Sequence, residues 1–147
     1  ERLLAVRRVV GLRNPAHSLV KQMNPSQGPA FLVASYTHPE YATSMAEVFA
    51  VMKSSGLLLR GTEGEPVADP RRLPAMRCFM GGEVRESTDA QAGSLLQLPD
   101  LPSSTDAEST AQYTRSVLEG SALLPAPLAQ QVDAIVRTHQ ALLAATP

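Results

Sequence analysis

The chain has 147 residues, 44% of them hydrophobic and 18% charged, with a formal net charge of −1. That is enough for one compact domain with its own core, and the composition excludes a disordered chain. The single Cys78 excludes an internal disulfide and fits a reducing, cytoplasmic location; no apolar run approaches the roughly 20 residues of a membrane span, and no basic-then-apolar leader opens the sequence.

With three Phe, three Tyr and no Trp, the core must rest on Leu, Val, Ala and Met. The charge is uneven. Residues 1–60 hold seven bases and three acids, giving +4; residues 61–147 hold six bases and eleven acids, giving −5. The first 21 residues are the basic part, with five bases to one acid. Arg2, Arg7, Arg8, Arg13 and Lys21 form a patch suited to phosphates or a nucleic-acid backbone, although a solvated helix face has the same composition.

Residues 1–10, ERLLAVRRVV, read as the end of a helix with Leu3, Leu4, Val6, Val9 and Val10 on one face. Gly11 can stop it. The opening at Glu1 inside a helix, with no cap before it, leads us to expect further chain upstream. Asn14-Pro15 is a helix start, with Asn as cap and Pro at the first helical position, and that short helix runs to about Gln22. Asn24–Pro29 is a break, so residues 1–27 read as a helical segment and hinge, and 28–147 as an α/β domain.

Phe31–Ser35 reads as a buried strand. Thr37 and Glu40 can form a capping box for the next helix, whose apolar face is Tyr41, Met45, Val48, Phe49 and Met52. That helix ends near Ser54-Ser55-Gly56, and Leu57–Leu59 is a second buried strand. A strand-helix-strand order predicts a right-handed crossover and a parallel pair. Ligands of such sheets meet the loops beyond the carboxyl ends of the strands, here Tyr36–Pro39 and Gly61–Pro66. Ala75–Met80 and Glu83–Thr88 form a hairpin around Gly81-Gly82. Residues 89–104 are loop. Thr105 and Glu108 suggest a second capping box, on a helix running to Glu119 and stopped by Gly120. Leu128, Val132, Ile135, Val136, Leu142 and Leu143 mark a final amphipathic helix. The expected class is α/β, a mostly parallel sheet flanked by helices with one β-hairpin.

Several of these segments, taken together, resemble the anthranilate phosphoribosyltransferase family. Gly11-Leu12-Arg13, followed eleven residues later by Asn24-Pro25, is similar to its "GVRT…NP" segment. Gly61-Thr62-Glu63-Gly64-Glu65 stands after a strand, where the family carries its acidic "GLDE" metal loop. Gly82-Glu83-Val84 and the run from Thr110-Ala111-Gln112-Tyr113 through Leu118-Glu119-Gly120 fit the later pattern. The likeness covers most of the chain, and order and spacing carry it. Departures are Asn14 in place of Thr, Val20-Lys21 in place of a hinge Gly-Pro, and Gly64 where the Asp of the Asp-Glu pair belongs. The wording "GLRNPAHSLVK" and "RGTEGE" is closer to the family's YbiB-type paralogues, which look like nucleic-acid binders.

The resemblance implies the C-terminal portion of a nucleoside phosphorylase/phosphoribosyltransferase-like fold, lacking its N-terminal helical domain. It implies phosphoribosyl pyrophosphate as donor, with Mg²⁺ bound through the diphosphate. On that reading Arg13 and Asn14 lie at the acceptor, and Glu63 and Glu65 approach the metal. The family's diphosphate loop, "GTGGD", has no counterpart here, since Gly81-Gly82 lacks its sequel, so these residues alone are not expected to catalyse. The non-catalytic alternative has Arg2, Arg7, Arg8, Arg13 and Lys21 on nucleic-acid phosphates. The family dimerises through its helical domain, so a homodimer is an expectation for the full-length protein. His17, His38 and His139 have no metal-ligand spacing to one another. His38 fits a helix cap, His139 the last helix and Cys78 a small core position on a strand.

Overall fold

The computed structural model describes residues 5, 8, 9, 11, 19–28, 30–93 and 100–145. Arg2, Arg7, Arg13, Asn14 and His17, together with the cap at Asn14-Pro15, lie outside the described residues. Ala5, Arg8 and Val9 are helical and exposed, and Gly11 has a φ of +72°, as a helix-stopping glycine requires.

The elements in order are β1 (Phe31–Tyr36), α1 (Pro39–Val51), β2 (Ser55–Arg60), β3 (Met76–Met80), β4 (Glu83–Thr88), α2 (Ala107–Leu118) and α3 (Ala126–Ala145). One four-stranded sheet has the order β1-β2-β3-β4. β1 and β2 are parallel, with Val33 opposite Leu57. β2 with β3, and β3 with β4, are antiparallel. The expectation of a mostly parallel sheet is therefore corrected to a mixed one. A parallel return needs a crossover, and only α1 supplies one. Between Arg60 and Met76 there is no helix, so the chain doubles back. At Gly81-Gly82, with φ of +60° and +89°, a two-residue turn permits nothing but a hairpin. A bulge between Cys78 and Phe79 shifts the last pair.

Alternation along the strands divides the core in two. On one face Leu57, Leu59, Met76 and Cys78 pack with Ala68 and with Ala134 of α3. On the other Ala34, Leu58 and Phe79 pack with Met45 and Phe49 of α1. Phe49 and Phe79 stack with ring centroids 4.6 Å apart. Burial of Cys78 pushes its thiol above the ordinary range, in keeping with a structural residue.

Both expected capping boxes are corrected. α1 is capped by His38, without a side-chain hydrogen bond, because Pro39 takes the first helical position. α2 is capped by Asp106, which accepts from the Ser109 N–H at 2.9 Å, so the cap falls one residue beyond Thr105. The buried stripe of α3 is Pro127, Gln131, Ala134 and Thr138, flanked by Leu128, Ile135 and Leu142. Val132, Val136 and Leu143 are exposed, contrary to the apolar face read from the sequence.

Gly56 on β2 lies close against Leu32 of β1 and the Phe49 ring. A Cβ there would fall 2.1 Å from the Leu32 carbonyl oxygen and 2.9 Å from the Phe49 ring. Gly56→Ala should destabilise the fold at the upper end of the ~1–3 kcal/mol typical of overpacking. In urea unfolding, the midpoint should fall while the slope is unchanged.

Candidate functional site: the loop after the second strand

The carboxyl ends of the parallel pair carry the loops Thr37–His38 and Gly61–Ala75. The first hydrogen bond of the second loop runs from the Gly61 N–H to the Tyr36 carbonyl, 2.9 Å. Gly61 is buried, and a Cβ there would meet the Glu65 carbonyl oxygen at 2.7 Å, so the loop closes tightly on itself.

The Glu65 carboxylate organises that closure. Its Oε1 accepts from the Thr62 N–H and the Thr62 hydroxyl, each at 2.8 Å, and its Oε2 accepts from the Glu63 N–H at 2.9 Å. Hydrogen bonding from its own backbone N–H, then from the Thr62 hydroxyl, holds the carboxyl down at about 2. Glu63 is exposed and contributes its backbone N–H to this arrangement. Among the described residues, no group of three or more His, Cys, Asp or Glu could hold a metal ion. Of the two carboxylates expected at a metal, Glu65 thus already serves its loop, and Glu63 is exposed.

Gly64 is the second fixed point. Its carbonyl accepts from the Lys21 ammonium at 3.0 Å and from the hydroxyl of buried Ser35 at 2.8 Å. Lys21 also reaches the Ser35 carbonyl at 3.5 Å. With φ of +102°, and with the Lys21 Nζ 3.1 Å from where a Cβ would stand, this position favours glycine. An Asp, the residue the resembled family has here, would be strained at that backbone and would crowd Lys21.

The far side of the loop is held by Gln131, 5% exposed on α3. Its Oε1 accepts from the Ala68 N–H at 2.7 Å, and its Nε2 donates to the Pro66 carbonyl at 2.9 Å. One side-chain amide therefore satisfies a donor and an acceptor of a partly buried loop. Sequence reading missed Gln131, Ser35 and Thr62. A signal existed for the first: a polar residue recurring at helical spacing with Ala134 and Thr138 is buried polar, which demands a partner.

The basic residues are dispersed. Arg8 and Lys21 are exposed, as are Lys53, Arg60, Arg77, Arg85 and Arg115. Among the described residues, ion pairs engage only Arg71, with Asp69, and Arg137, with Glu86 and Asp133. A groove of about 570 Å³ opens at the amino-terminal end of β1, between Asn24, Lys53, Met80 and Arg85, and among the described residues no acidic side chain lines it. His139 sets its ring edge-on to Phe31 at 6.3 Å, a packing role.

Two outcomes follow from this geometry. The Glu65 carboxyl is depressed in the folded state, so its contribution is complete above its ordinary value of 4.5 and is lost as pH falls towards 2. The Thr62 and Glu63 amide resonances should titrate with a midpoint near 2, and Glu65→Gln should abolish that titration. Gln131→Ala leaves the Ala68 N–H and the Pro66 carbonyl without their partner. It should cost ~1–3 kcal/mol in urea unfolding and speed exchange of the Ala68 amide.

No family model matches the chain. Over 145 residues it is 37% identical to "Uncharacterized protein YbiB" of Escherichia coli (strain K12), across 96% of this chain and 44% of that protein. The chain thus spans less than half the length of the curated relative to which it is similar.

Proposed function

We propose that this chain is the α/β part of a phosphoribosyltransferase-like protein that has become a nucleic-acid-binding paralogue. The observation that carries this reading is the state of the acidic loop. Mg²⁺-diphosphate recognition needs carboxylate oxygens free to meet a metal. Here Glu65 is taken up by Thr62 and Glu63, and a glycine with φ of +102° stands where the family's Asp is expected. Lys21 bonds the Gly64 carbonyl of the same loop and the Ser35 carbonyl of β1, and its exposed ammonium puts a positive charge beside the loop. Arg8 and the groove with Lys53 and Arg85 add exposed positive charge. Arg2, Arg7 and Arg13 complete the phosphate contacts on this reading. The similarity to YbiB agrees with the paralogue-like wording of the sequence.

A second reading, altered phosphoribosyl transfer, draws on one observation. Glu65 Oε2 accepts from the backbone N–H of exposed Glu63, which brings the two acidic residues of the loop together. On that reading Glu63 and Glu65 approach Mg²⁺, and Arg13 and Asn14 meet the acceptor.

The deciding experiment uses a YbiB-length polypeptide containing this chain. It is titrated with a short DNA duplex at several salt concentrations, and with phosphoribosyl pyrophosphate plus Mg²⁺. Duplex affinity should fall with salt, with a log–log slope of about −0.9 for each phosphate neutralised. Arg8→Ala should make that slope shallower by about 1. Mg²⁺-dependent diphosphate binding weakened by Glu65→Ala, with no salt-sensitive duplex binding, would reverse the assignment.

A further inference from the structure

The groove at the amino-terminal end of β1 lies at the opposite end of the sheet from the loop at Gly61–Ala75. Two basic residues line it, Lys53 after α1 and Arg85 on β4, and each stands where the backbone departs from regular geometry. Lys53 has a φ of +49°, and among the described residues no other non-glycine residue has a positive φ. Its N–H bonds the Ala50 carbonyl at 3.2 Å, and the Ser54 N–H bonds the Phe49 carbonyl at 2.9 Å. This is a helix-ending pattern whose left-handed position usually takes glycine. A cation favours the carboxyl end of a helix from any place in its last turn. Helix electrostatics alone therefore do not require a lysine at the strained position.

Arg85 is the second irregularity. Cys78 pairs with Glu86 and Phe79 with Val84, so Arg85 is the extra residue of the bulge and has no partner opposite. A bulge re-aims a side chain, and here the arginine joins the lining of the groove.

The two walls are fastened together. The Gly81 N–H bonds the Ser55 hydroxyl at 3.0 Å, and the Gly82 N–H bonds the Ser54 carbonyl at 2.9 Å. The hairpin turn is thus tied to the segment that follows Lys53, and the two cations are held across one groove. Among the described residues, neither has an ion-pair partner and no acidic side chain lines the groove. Leu32, Met52 and Met80 give it an apolar floor, with Met52 67% exposed. Thioether side chains adapt to flat or irregular apolar faces. At about 570 Å³ the groove has the dimensions of a small-molecule site.

We propose that this groove binds a phosphate ester of mononucleotide size, with Lys53 and Arg85 on the phosphate and Met52 and Met80 against the flat body of the ligand. The division of labour follows from the side chains. A guanidinium can meet two phosphate oxygens at once, and an ammonium adds a point charge beside them. A free nucleotide and one unit of a nucleic-acid strand present the same chemistry. The inference goes beyond the nucleic-acid reading, in which the groove supplies only charge, and stands without it.

The test titrates AMP into a YbiB-length polypeptide containing this chain, followed by calorimetry and by the methionine methyl resonances. AMP should bind saturably and shift Met52 and Met80, while Met76, buried in the core, stays in place. Lys53→Gly should raise the urea midpoint, because glycine accepts the left-handed position, and yet weaken AMP binding at least about tenfold. Arg85→Gln should weaken it likewise, and Arg115→Ala, on α2 outside the groove, should leave it unchanged. Displacement of AMP by a short single-stranded DNA would support the site as one for a strand; AMP retained in its presence would support a free nucleotide. Absence of saturable shifts at Met52 and Met80, or AMP binding that survives both Lys53→Gly and Arg85→Gln, would overturn the proposal, whether or not the polypeptide binds duplex DNA.

Discussion

The loop after β2 must satisfy its own backbone polar groups while turning sharply at the mouth of the sheet, and much of the site follows from how it does so. Four side chains from four parts of the chain serve it. Glu65 bonds the N–H groups of Thr62 and Glu63, Ser35 and Lys21 share the Gly64 carbonyl, and Gln131 takes the Ala68 N–H and the Pro66 carbonyl. Charge-assisted bonds to a carboxylate or from an ammonium are stronger than neutral ones, so the first two anchors set the shape. The same bonds reduce what Glu65 can offer a cation. A loop that looks acidic in sequence is therefore, in structure, a self-capped turn with a lysine against it.

The sheet places that loop. The parallel β1–β2 pair brings Tyr36 and Gly61 together at one end, and α3 lies across β2 and β3 so that Gln131 reaches the loop from the opposite face. The hairpin β3–β4 extends the sheet on its other side and shields that edge with charge. β1, FLVASY, has no charged side chain, so the two edges of the sheet differ in character.

Much of this was legible in the sequence. The strands at Phe31 and Leu57, the crossover between them, the Gly81-Gly82 hairpin and the final helix all follow from apolar runs, turn residues and periodicity. The mixed character of the sheet was also available, because no helical pattern separates Arg60 from Met76, but the resemblance to a mostly parallel fold outweighed it. The α2 cap lies one residue beyond Thr105 because Ser, Thr and Asp cluster around Asp106 and any of them can cap, while the α1 cap at His38 is set by Pro39. The α3 face was misjudged for another reason. Periodicity scored Val132 and Val136 as core, while the buried stripe in fact runs through the polar Gln131 and Thr138, whose partners are distant in sequence. The loop at Gly61–Pro66 does follow the second strand of the parallel pair, as the apolar run before it indicates. The role of Glu65 was not legible, since composition does not reveal whether a carboxylate faces inwards to its own amides or outwards to a ligand.

The central claim is that Glu65 belongs to its loop and not to a metal. The most direct test follows the Thr62 and Glu63 amide resonances while Mg²⁺ is added to millimolar levels at neutral pH. The account predicts that both stay in place, because the carboxylate keeps its hydrogen bonds. Saturable shifts of both amides, abolished by Glu65→Gln, would mean that the carboxylate leaves its loop for the cation, and would contradict it.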